Sequence, residues 1–395
     1  MPPEPRPGLT GRRDLSLIVS AWLVAQIVSF LALGVRHGGD TGRYLTAAQE
    51  LLGGGIPQGK AASYLGYDLY VTAVFGAGLG EYGIVIGQCF LALVATLCLY
   101  GIADATYGRR AALFAALLMG FWPDLQRWNF YILTDSLFVS ASVIAAWCVL
   151  NPHGARWPRW LAPLAVVFAA SVRPNGVVLL LAVGVYFAWR LWTARRYQAL
   201  AGVGVIAAIA LPVLYLGVNI MLAQEQLIGI YTKGEVIWGY EALRHSFPGA
   251  TNETGGPQGL GGLASFALAY PGYFFMLFVA KVYHLYLHAR PYYSAYHNFF
   301  ALTTLMPLYL IALRGAVLPV QPTGARTWFG ALVLGQTLVI GFTFADWDGR
   351  DLLVILPAVF LFAAAGMSRF FESGRSRGVS INRMTRVPMA LTSDD

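Results

Sequence analysis

Acidic residues stand beside apolar runs at three separate places in this sequence. Asp40 follows the first apolar run and is spaced with Arg43 and Tyr44 as D-x-x-R-Y, Asp135 opens another run in "YILTDSLF", and "ADWDGRDLL" precedes the last run. A charge beside lipid is expensive, so each of these acids is a functional candidate. A carboxylate can act as a general base toward a hydroxyl, and an arginine beside it can stabilise a developing negative charge.

Each of these acids also has a structural alternative, which the sequence leaves open. Asp40 is placed to cap an interface helix, with Arg43 at the lipid headgroups. Asp135 is placed to compensate the dipole at the start of a helix. A solvated loop between helices is the structural alternative for the late cluster, which consists of Asp346, Asp348, Arg350 and Asp351.

Two further cations are candidates for holding an anionic group. Arg173 in "SVRPNG" interrupts an apolar stretch, so it needs an anionic partner, either a structural acid or a substrate phosphate. Lys60 ends "GGIPQGK", which nearly matches a phosphate-binding loop. We reject that motif, because Ala61 replaces its Ser or Thr and no strand precedes it. Lys60 is left as a point charge for a lipid phosphate or as a lysine that reaches the membrane surface.

The sequence gives little support for a metal site. His284 and His288 are spaced i, i+4 in "KVYHLYLHARP" and could share a metal, but the tyrosines around them are more typical of an aromatic belt at a membrane surface. The three cysteines lie inside apolar runs, as buried small hydrophobes do. We predict no metal site and no cofactor; a divalent cation at the acids is compatible with the sequence but not favoured.

Composition indicates the surroundings of these candidates. The 395-residue chain is 57% hydrophobic and only 12% charged, with a net charge of +8, whereas soluble domains carry about 25% charged residues. The apolar residues form runs long enough to span a bilayer, which predicts an all-α polytopic membrane protein of about 10–12 spans. The basic residues are scattered, which argues for loops beside anionic lipid and against nucleic-acid binding.

The predicted spans lie near residues 15–35, 83–104, 109–122, 133–150, 160–173, 175–193, 199–223, 264–288, 296–314, 326–345 and 351–367. Arginines in the short loops place the N-terminal residues 1–14 in the cytoplasm, so 36–82 and 224–263 face outward. Eleven spans would also place the basic tail, 368–395, outward, although its arginines favour the cytoplasm. One span after residue 260 is therefore miscounted or re-entrant, within a transmembrane domain that covers 15–367.

Two outward segments are long. Residues 36–82 contain "GRYLTAAQELL", an amphipathic stretch, followed by the mostly apolar "YLGYDLYVTAVFGAGLG". Both predict helices that lie in the membrane interface. Residues 224–263 are rich in glycine and polar residues, which predicts a loop.

These motifs resemble those of the GT-C membrane glycosyltransferases, which include the aminoarabinose transferases acting on lipid A and the protein mannosyltransferases. D-x-x-R-Y followed by "AAQELLGGGIP" is similar to the first acid block of the aminoarabinose branch, and "LTDSLF" to the second acid at a helix start. "VRPNG" and "GRDLLVILPAVFLFAAAG" are similar to helices of the wider superfamily. The resemblance covers most of residues 10–370. Thr41 replaces the second acid of the usual D-E pair, and a Lys-Pro-Pro block is absent.

The resemblance implies an inverting transfer of a sugar from a polyprenyl-phosphate-linked donor to an acceptor hydroxyl on a lipid, glycan or protein. It implies an active site on the outer face of the bacterial cytoplasmic membrane. The implied catalytic residues are Asp40, as general base, and Asp135. From the residues and the resemblance together, we predict Arg43, Tyr44, Lys60, Arg173 and Arg350 as substrate-binding residues.

Three other functions stay open at this point. A lipid or sugar transporter or flippase would distribute polar residues through its spans and repeat its halves, whereas the polar residues here gather in outward segments. An outer-face polysaccharide polymerase or ligase would centre on one large late loop, a part that 224–263 could play. A structural scaffold would not need Asp40 and Asp135 beside lipid. Neither the sugar nor the acceptor has a sequence signature.

Overall fold

The computed structural model describes residues 10–205, 227–249, 259–317 and 324–367, together with residues 208 and 219. Within these ranges the regular secondary structure is helical, with two isolated parallel bridges and no extended strand. Most of the predicted span 199–223 and all of the tail 368–395 lie outside the described residues.

The described helices follow one another with short connections. Their bounds in chain order are α1 (Thr10–Leu33), α2 (Thr41–Leu52), α3 (Leu65–Gly76), α4 (Gly80–Tyr107), α5 (Arg109–Phe121), α6 (Pro123–Trp128), α7 (Thr134–Leu150), α8 (Arg156–Val172), α9 (Gly176–Thr193), α10 (197–205, as far as it is described), α11 (Leu227–Thr232), α12 (Gly259–Ala269), α13 (Pro271–Leu287), α14 (Ala295–Val317), α15 (Gly324–Phe342) and α16 (Leu356–Met367). Most of them are apolar on all sides, as helices in contact with lipid are.

Five of the described helices, α1, α4, α9, α14 and α15, are long and apolar enough to cross a bilayer. The bent pair α12 and α13 makes a sixth if it is counted as one span. Three shorter helices, α7, α8 and α16, are also apolar. The chain is therefore a multi-pass, all-α membrane protein, as its composition predicts.

The two ends of this helical bundle are marked by ion pairs. At one end, which we call the site end, Asp135 at the start of α7 pairs with Arg173 after α8 and with Arg350 before α16. At the other end, the Arg109 guanidinium donates two hydrogen bonds of 2.6 Å to the Asp14 carboxylate and so joins the starts of α1 and α5. We call this second end the opposite end. The helices that connect the two ends are the membrane crossings.

The segment from α11 to α13 begins and ends at the site end. Leu227, the first residue of α11, lines the same cavity as Arg350. His288, directly after α13, lies beside Gly349, because a Cβ on that glycine would be 2.8 Å from the His288 Nδ1 atom. Between these points α12 and α13 meet at 115°. The prediction of one span over 264–288 is wrong, because the chain turns back to the face from which it came.

A proline explains why this helix breaks. Pro271 is the first residue of α13 and has no N–H to continue the ladder of α12. Tyr270 before it has φ −131° and ψ 58°, outside the helical region, as the steric demand of a following proline favours. The sequence analysis requires one miscounted or re-entrant span after residue 260, and this broken pair is that span.

Without this span, the end of the described chain lies on the same side as its beginning. Gly315, near the end of α14, packs against Gly366 of α16. Both glycines lie at the opposite end, where Asp14 and Arg109 also lie. Met367 therefore precedes the basic tail on the side that the arginines of the loops mark as cytoplasmic.

The two helices predicted within 36–82 are present as α2 and α3. Each has 12 residues, about 18 Å at 1.5 Å per residue and too short to span a bilayer. The buried residues of α2 lie on one face, as in an amphipathic helix, and are Thr41, Tyr44, Ala47 and Ala48. The predicted loop 224–263 contains α11, a three-residue 3₁₀ turn, Glu241–Leu243, and the first turn of α12, while its residues 224–226 and 250–258 lie outside the described part of the chain.

The topology predicts which loops react from outside the cell. Gln58 is exposed at the site end, and Ala194 is exposed at the opposite end. In a background in which Cys89, Cys98 and Cys148 are replaced, we expect a membrane-impermeant maleimide to label Gln58→Cys in intact cells. Ala194→Cys should react only after the membrane is permeabilised. The reverse pattern would invert the orientation of the whole chain.

Candidate active site

A cavity of about 240 Å³, which we call the site cavity, lies at the site end. It forms where the ends of several helices leave room for the loops that connect them. Its polar lining consists of Asp40, Tyr44, Lys60, Tyr64, Thr134, Arg173, Asn175, Thr343, Asp346, Arg350 and Asp351. Five of the seven predicted site residues, from four distant parts of the sequence, therefore face one space. The other two, Arg43 and Asp135, contact its lining residues.

Asp40 does not act as a helix cap, although it stands at the N-cap position of α2. Its side chain makes no capping hydrogen bond. Its Oδ1 atom lies 3.3 Å from the Arg43 Nη1 atom, and 43% of the side chain is exposed. The next residue, Thr41, points inward and donates a 2.9 Å hydrogen bond to the Ile132 carbonyl oxygen. Asp40 is thus an accessible carboxylate on a firmly attached turn, which suits a group that accepts a proton from a hydroxyl.

The turn that carries Asp40 is packed tightly against the start of α7. A Cβ on Gly38 would be 2.7 Å from the Leu133 Cδ1 atom, so a larger residue here would require the Leu133 side chain to move. The Gly38 N–H donates a 2.8 Å hydrogen bond to the Thr41 Oγ1 atom. These contacts, together with the hydrogen bond from Thr41 to the Ile132 carbonyl oxygen, join the segment that carries Asp40 to the segment before α7.

Arg43 belongs to the wall behind Asp40. Its guanidinium carbon lies 4.5 Å from the centre of the Tyr64 ring and 5.0 Å from that of Tyr44, both within cation–π range. Its Nη2 atom donates a 3.1 Å hydrogen bond to the Tyr44 hydroxyl. Arg43 lines a second, wider cavity of about 690 Å³ next to the site cavity. It is placed to orient Asp40 from behind.

Asp135 lies below the site cavity and is almost completely buried, with 1% of the residue exposed. One carboxylate oxygen accepts a hydrogen bond from Arg173, and the other lies 3.4 Å from the Arg350 Nη1 atom. Compensation of the α7 dipole does not by itself account for Asp135, because this acid also pairs with two arginines. It positions two cations beneath the cavity.

Arg173 reaches Asp135 because the chain leaves the helix there. Pro174 disfavours the helical conformation for the residue before it, and Arg173 is extended, with φ −145° and ψ 154°. Burial opposes the charged form, but the negative charge of Asp135 outweighs it and raises the pKa of Arg173 above its ordinary value. Of the two partners considered in the sequence analysis, a structural acid and a phosphate, the acid is present.

Arg350 is held by a second acid in its own loop. Its Nε and Nη2 atoms donate hydrogen bonds of 3.0 Å and 2.9 Å to the two oxygens of Asp346. This bidentate geometry fixes the plane of the guanidinium. The loop itself is anchored by Ala345, whose N–H and carbonyl bond to Val236 and Trp238 at 3.0 Å each. Three of the four residues of the late cluster, Asp346, Arg350 and Asp351, are thus part of an ordered cavity wall and not of a solvated loop.

Two aspartates of this loop, Asp346 and Asp351, have pKa values that are shifted in opposite directions. Burial alone would raise the pKa of Asp346, but the positive charge and hydrogen bonds of Arg350 outweigh it and hold this pKa below its usual value. Burial, and then the negative charge of Asp346, raise the pKa of Asp351 to about 7. The contact with Arg350 therefore favours the charged form of Asp346, while burial favours the protonated form of Asp351.

Several lining residues were missed in the sequence analysis. Tyr64, Asn175, Thr343 and Trp238 all face the site cavity. Tyr64 is the first residue of the quoted "YLGYDLYVTAVFGAGLG" and Asn175 lies within "SVRPNG", so their closeness to a candidate was a usable signal. Trp238 lies in the long outward segment and had no signal of its own.

The suggested histidine pair does not form. His284 lies within α13, and its carbonyl oxygen accepts a 2.6 Å hydrogen bond from Arg290. His288 follows the helix with φ +51°, a left-handed conformation that turns its ring away from the α13 face. Its Nε2 atom lies 3.3 Å from the Asp124 carboxylate instead. The i, i+4 spacing therefore does not bring the two imidazoles together.

Residues 69–216 match the family model described as dolichyl-phosphate-mannose-protein mannosyltransferase. This segment contains Asp135 and Arg173 and begins within α3. The predicted resemblance to GT-C membrane glycosyltransferases is confirmed for this segment. Among curated proteins, none matches the chain.

The chain is also similar to a solved structure, the crystal structure of ArnT from Cupriavidus metallidurans bound to undecaprenyl phosphate. The two chains are 16% identical, with a TM-score of 0.48. The similarity covers 95% of this chain and 63% of that chain, so the chain spans less than two thirds of ArnT.

The ion cluster under the cavity gives a stability prediction. Asp135→Asn removes a buried carboxylate and leaves two partly buried arginines without their shared partner, which should cost about 3–5 kcal/mol of unfolding free energy. Arg173→Gln should then be less costly in the Asp135→Asn background than in the wild type, because the two sites are coupled. Both effects are measured by thermal unfolding in detergent.

Asp348→Asn is the matched control for this measurement. Asp348 is in the same loop as Arg350, and the ion pairs of Arg350 are to Asp135 and Asp346. If Asp135→Asn destabilised the protein no more than Asp348→Asn does, the cluster would not hold the site end together.

Proposed function

We propose that this protein is an inverting glycosyltransferase that moves a sugar from a polyprenyl-phosphate-linked donor to an acceptor hydroxyl. The observation that carries the proposal is one cavity at the membrane surface that contains both an accessible carboxylate, Asp40, and two partly buried arginines, Arg173 and Arg350. The family match over residues 69–216 supports the donor class, since that family is described by a dolichyl phosphate sugar.

The two arginines suit the phosphate of such a donor. Only 15% of the Arg173 side chain and 19% of the Arg350 side chain are exposed, at the floor of the cavity. Partly dehydrated guanidinium groups bind phosphate oxygens strongly and through a fixed geometry. Asp135 holds both of them in place before the donor arrives. We therefore propose that Arg173 and Arg350 bind the phosphate, with Lys60 at the rim of the cavity. Arg43 instead pairs with Asp40 and restrains its carboxylate.

The proposed reaction is a single displacement at the anomeric carbon. The acceptor oxygen bonds to that carbon while the bond from the carbon to the phosphate oxygen breaks. The acceptor proton passes to Asp40, and the electron pair of the broken bond leaves on the polyprenyl phosphate. The arginines stabilise this leaving group as its charge grows. Attack from the face opposite the phosphate inverts the configuration.

The location of the site fits a donor that cannot leave the lipid. The site cavity lies at the end of the bundle that the arginine distribution assigns to the outside. The short helices α2 and α3 flank it and suit the membrane interface. We propose the outer face of a bacterial cytoplasmic membrane as the place of reaction, and a membrane lipid, a glycan or a protein as the acceptor.

The central residue of this proposal is tested by Asp40→Asn. A general base contributes typically about 10²–10⁴-fold in rate, so turnover should fall by at least about two orders of magnitude. Donor binding should change little, since the phosphate ligands are untouched. The assay follows release of polyprenyl phosphate from a radiolabelled polyprenyl-phosphate sugar by purified protein in detergent, with an envelope extract as the source of acceptor.

Glu50→Gln is the matched control, because Glu50 is an exposed acid on the same helix that lines the second cavity and not the site cavity. It should keep near-normal turnover. Near wild-type turnover of folded Asp40→Asn would exclude Asp40 as the base. Wild-type protein that moved the intact donor across a vesicle membrane without releasing polyprenyl phosphate would be a transporter instead.

A further inference from the structure

A second group of side chains with chemical potential lies behind the loop of Arg350. Asp124 on α6, His288 after α13 and His297 on α14 each offer one ligand atom, and these three atoms lie within 4.8 Å of one another. It is the one such group among the described residues. It lies outside the lining of the site cavity, and the sequence analysis expected no metal site. We propose that these three residues bind one divalent metal ion of the zinc class.

The geometry of the group suits a metal ion. The His288 Nε2 atom is 3.3 Å from the Asp124 Oδ2 atom. Zinc bonds of about 2.0–2.1 Å to nitrogen and to oxygen would separate two tetrahedral ligands by roughly 3.3–3.5 Å. The other Asp124 oxygen faces Arg127 at 4.0 Å, which leaves Oδ2 for the metal. His297 offers the third ligand atom, within 4.8 Å of the other two.

Unsatisfied atoms support the same conclusion. The His297 Nε2 atom is buried and has no hydrogen-bond partner within the described part of the chain. His288 is only 3% exposed and Asp124 only 7%. A buried polar atom without a partner costs about 1–3 kcal/mol, a cost that a bound ion would offset. A metal ion would satisfy this nitrogen and the Asp124 charge together.

The donor set indicates which metal fits. Two imidazole nitrogens and one carboxylate oxygen suit zinc, which takes nitrogen and oxygen ligands in four-coordinate sites. Water would be the fourth ligand. Magnesium and calcium prefer oxygen ligands alone, so they fit this group poorly.

The backbone at the group is strained in a way that a bound ion would explain. His288 has φ +51°, which costs a non-glycine residue about 1–2 kcal/mol. This conformation directs the ring away from α13 and toward Asp124. Strained residues of this kind occur at ligand clamps, where bound groups offset the cost.

The proposed metal would also stabilise the Arg350 loop. Gly349 lies so close to His288 that a Cβ would be 2.8 Å from the ring. Trp128, at the end of the same short helix as Asp124, lies under Arg350, with 5.6 Å from the guanidinium carbon to the ring centre. A metal that joined α6, His288 and α14 would therefore fix the surface on which Arg350 rests. Its role is structural, and its binding does not depend on the proposed function.

The test is metal content, measured on full-length protein purified through a tag without histidine. After loading with Zn²⁺ and dialysis, we expect about one equivalent in the wild type, as a three-ligand site with water would retain. Asp124→Asn and His297→Ala should each lose at least about tenfold in Zn²⁺ affinity, because each removes one ligand. His284→Ala is the matched control, since His284 lies one turn earlier on α13, outside the group; it should keep the metal.

Cobalt provides a second measurement that needs no variant. Co²⁺ in place of Zn²⁺ should give the intense visible absorption of a four-coordinate site with nitrogen ligands in the wild type. Wild-type protein that retained no Zn²⁺ and gave only the weak spectrum of hydrated Co²⁺ would overturn the proposal. Equal Zn²⁺ retention by wild type and by folded Asp124→Asn and His297→Ala would also overturn it.

Discussion

The buried carboxylate of Asp135 is the interaction on which the arrangement of the site end depends. It joins Arg173, at the break between α8 and α9, to Arg350, in the loop before α16. Arginines near lipid lower the free energy of unfolding unless an acid pairs with them. Removal of the shared acid therefore leaves two charges that are partly removed from water and have lost this partner. Three distant parts of the chain must therefore meet here, and the site cavity forms above their meeting point.

The elements around this cluster combine rigid helices with breaks at defined positions. Pro174 ends α8 so that Arg173 extends toward Asp135, and Gly349 lets the Arg350 loop approach His288. Groups on helix ends are held more accurately than groups on long loops, which favours chemistry that needs fixed positions. Asp40 differs from this pattern, since it remains partly exposed while Arg43 restrains it from one side. An exposed acid can accept the acceptor proton, and two fixed cations can stabilise a phosphate leaving group. Both roles are needed in the proposed sugar transfer.

Most helices and four of the site residues could be predicted from the sequence, because the free-energy cost of a charge beside lipid depends on the residues next to it in the chain. Asp40, Asp135, Arg173 and Arg350 are identifiable as charges beside apolar runs, and most helices follow from the length of those runs. Pairing between them is not a local property, so the sharing of Asp135 by two arginines was not predicted.

The failures have the same physical origin. Pro271 was a visible signal for the break between α12 and α13, but the return of α13 to the site end depends on the packing of α11 and the Gly349 loop. His284 and His288 have helical spacing, yet the helix ends before His288, and His288 joins Asp124 and His297 instead. Long-range contacts of this kind have no periodic pattern in the sequence.

The central claim is that the site cavity holds the phosphate of a polyprenyl phosphate between the arginines and Asp40. A cryo-electron microscopy structure of the protein in lipid nanodiscs with added polyprenyl phosphate tests this most directly. We expect density for the phosphate against the Arg173 and Arg350 guanidinium groups, with the Asp40 carboxylate facing the same space. Density for the phosphate at the opposite end of the bundle, or an unchanged site cavity at saturating lipid, would contradict the account.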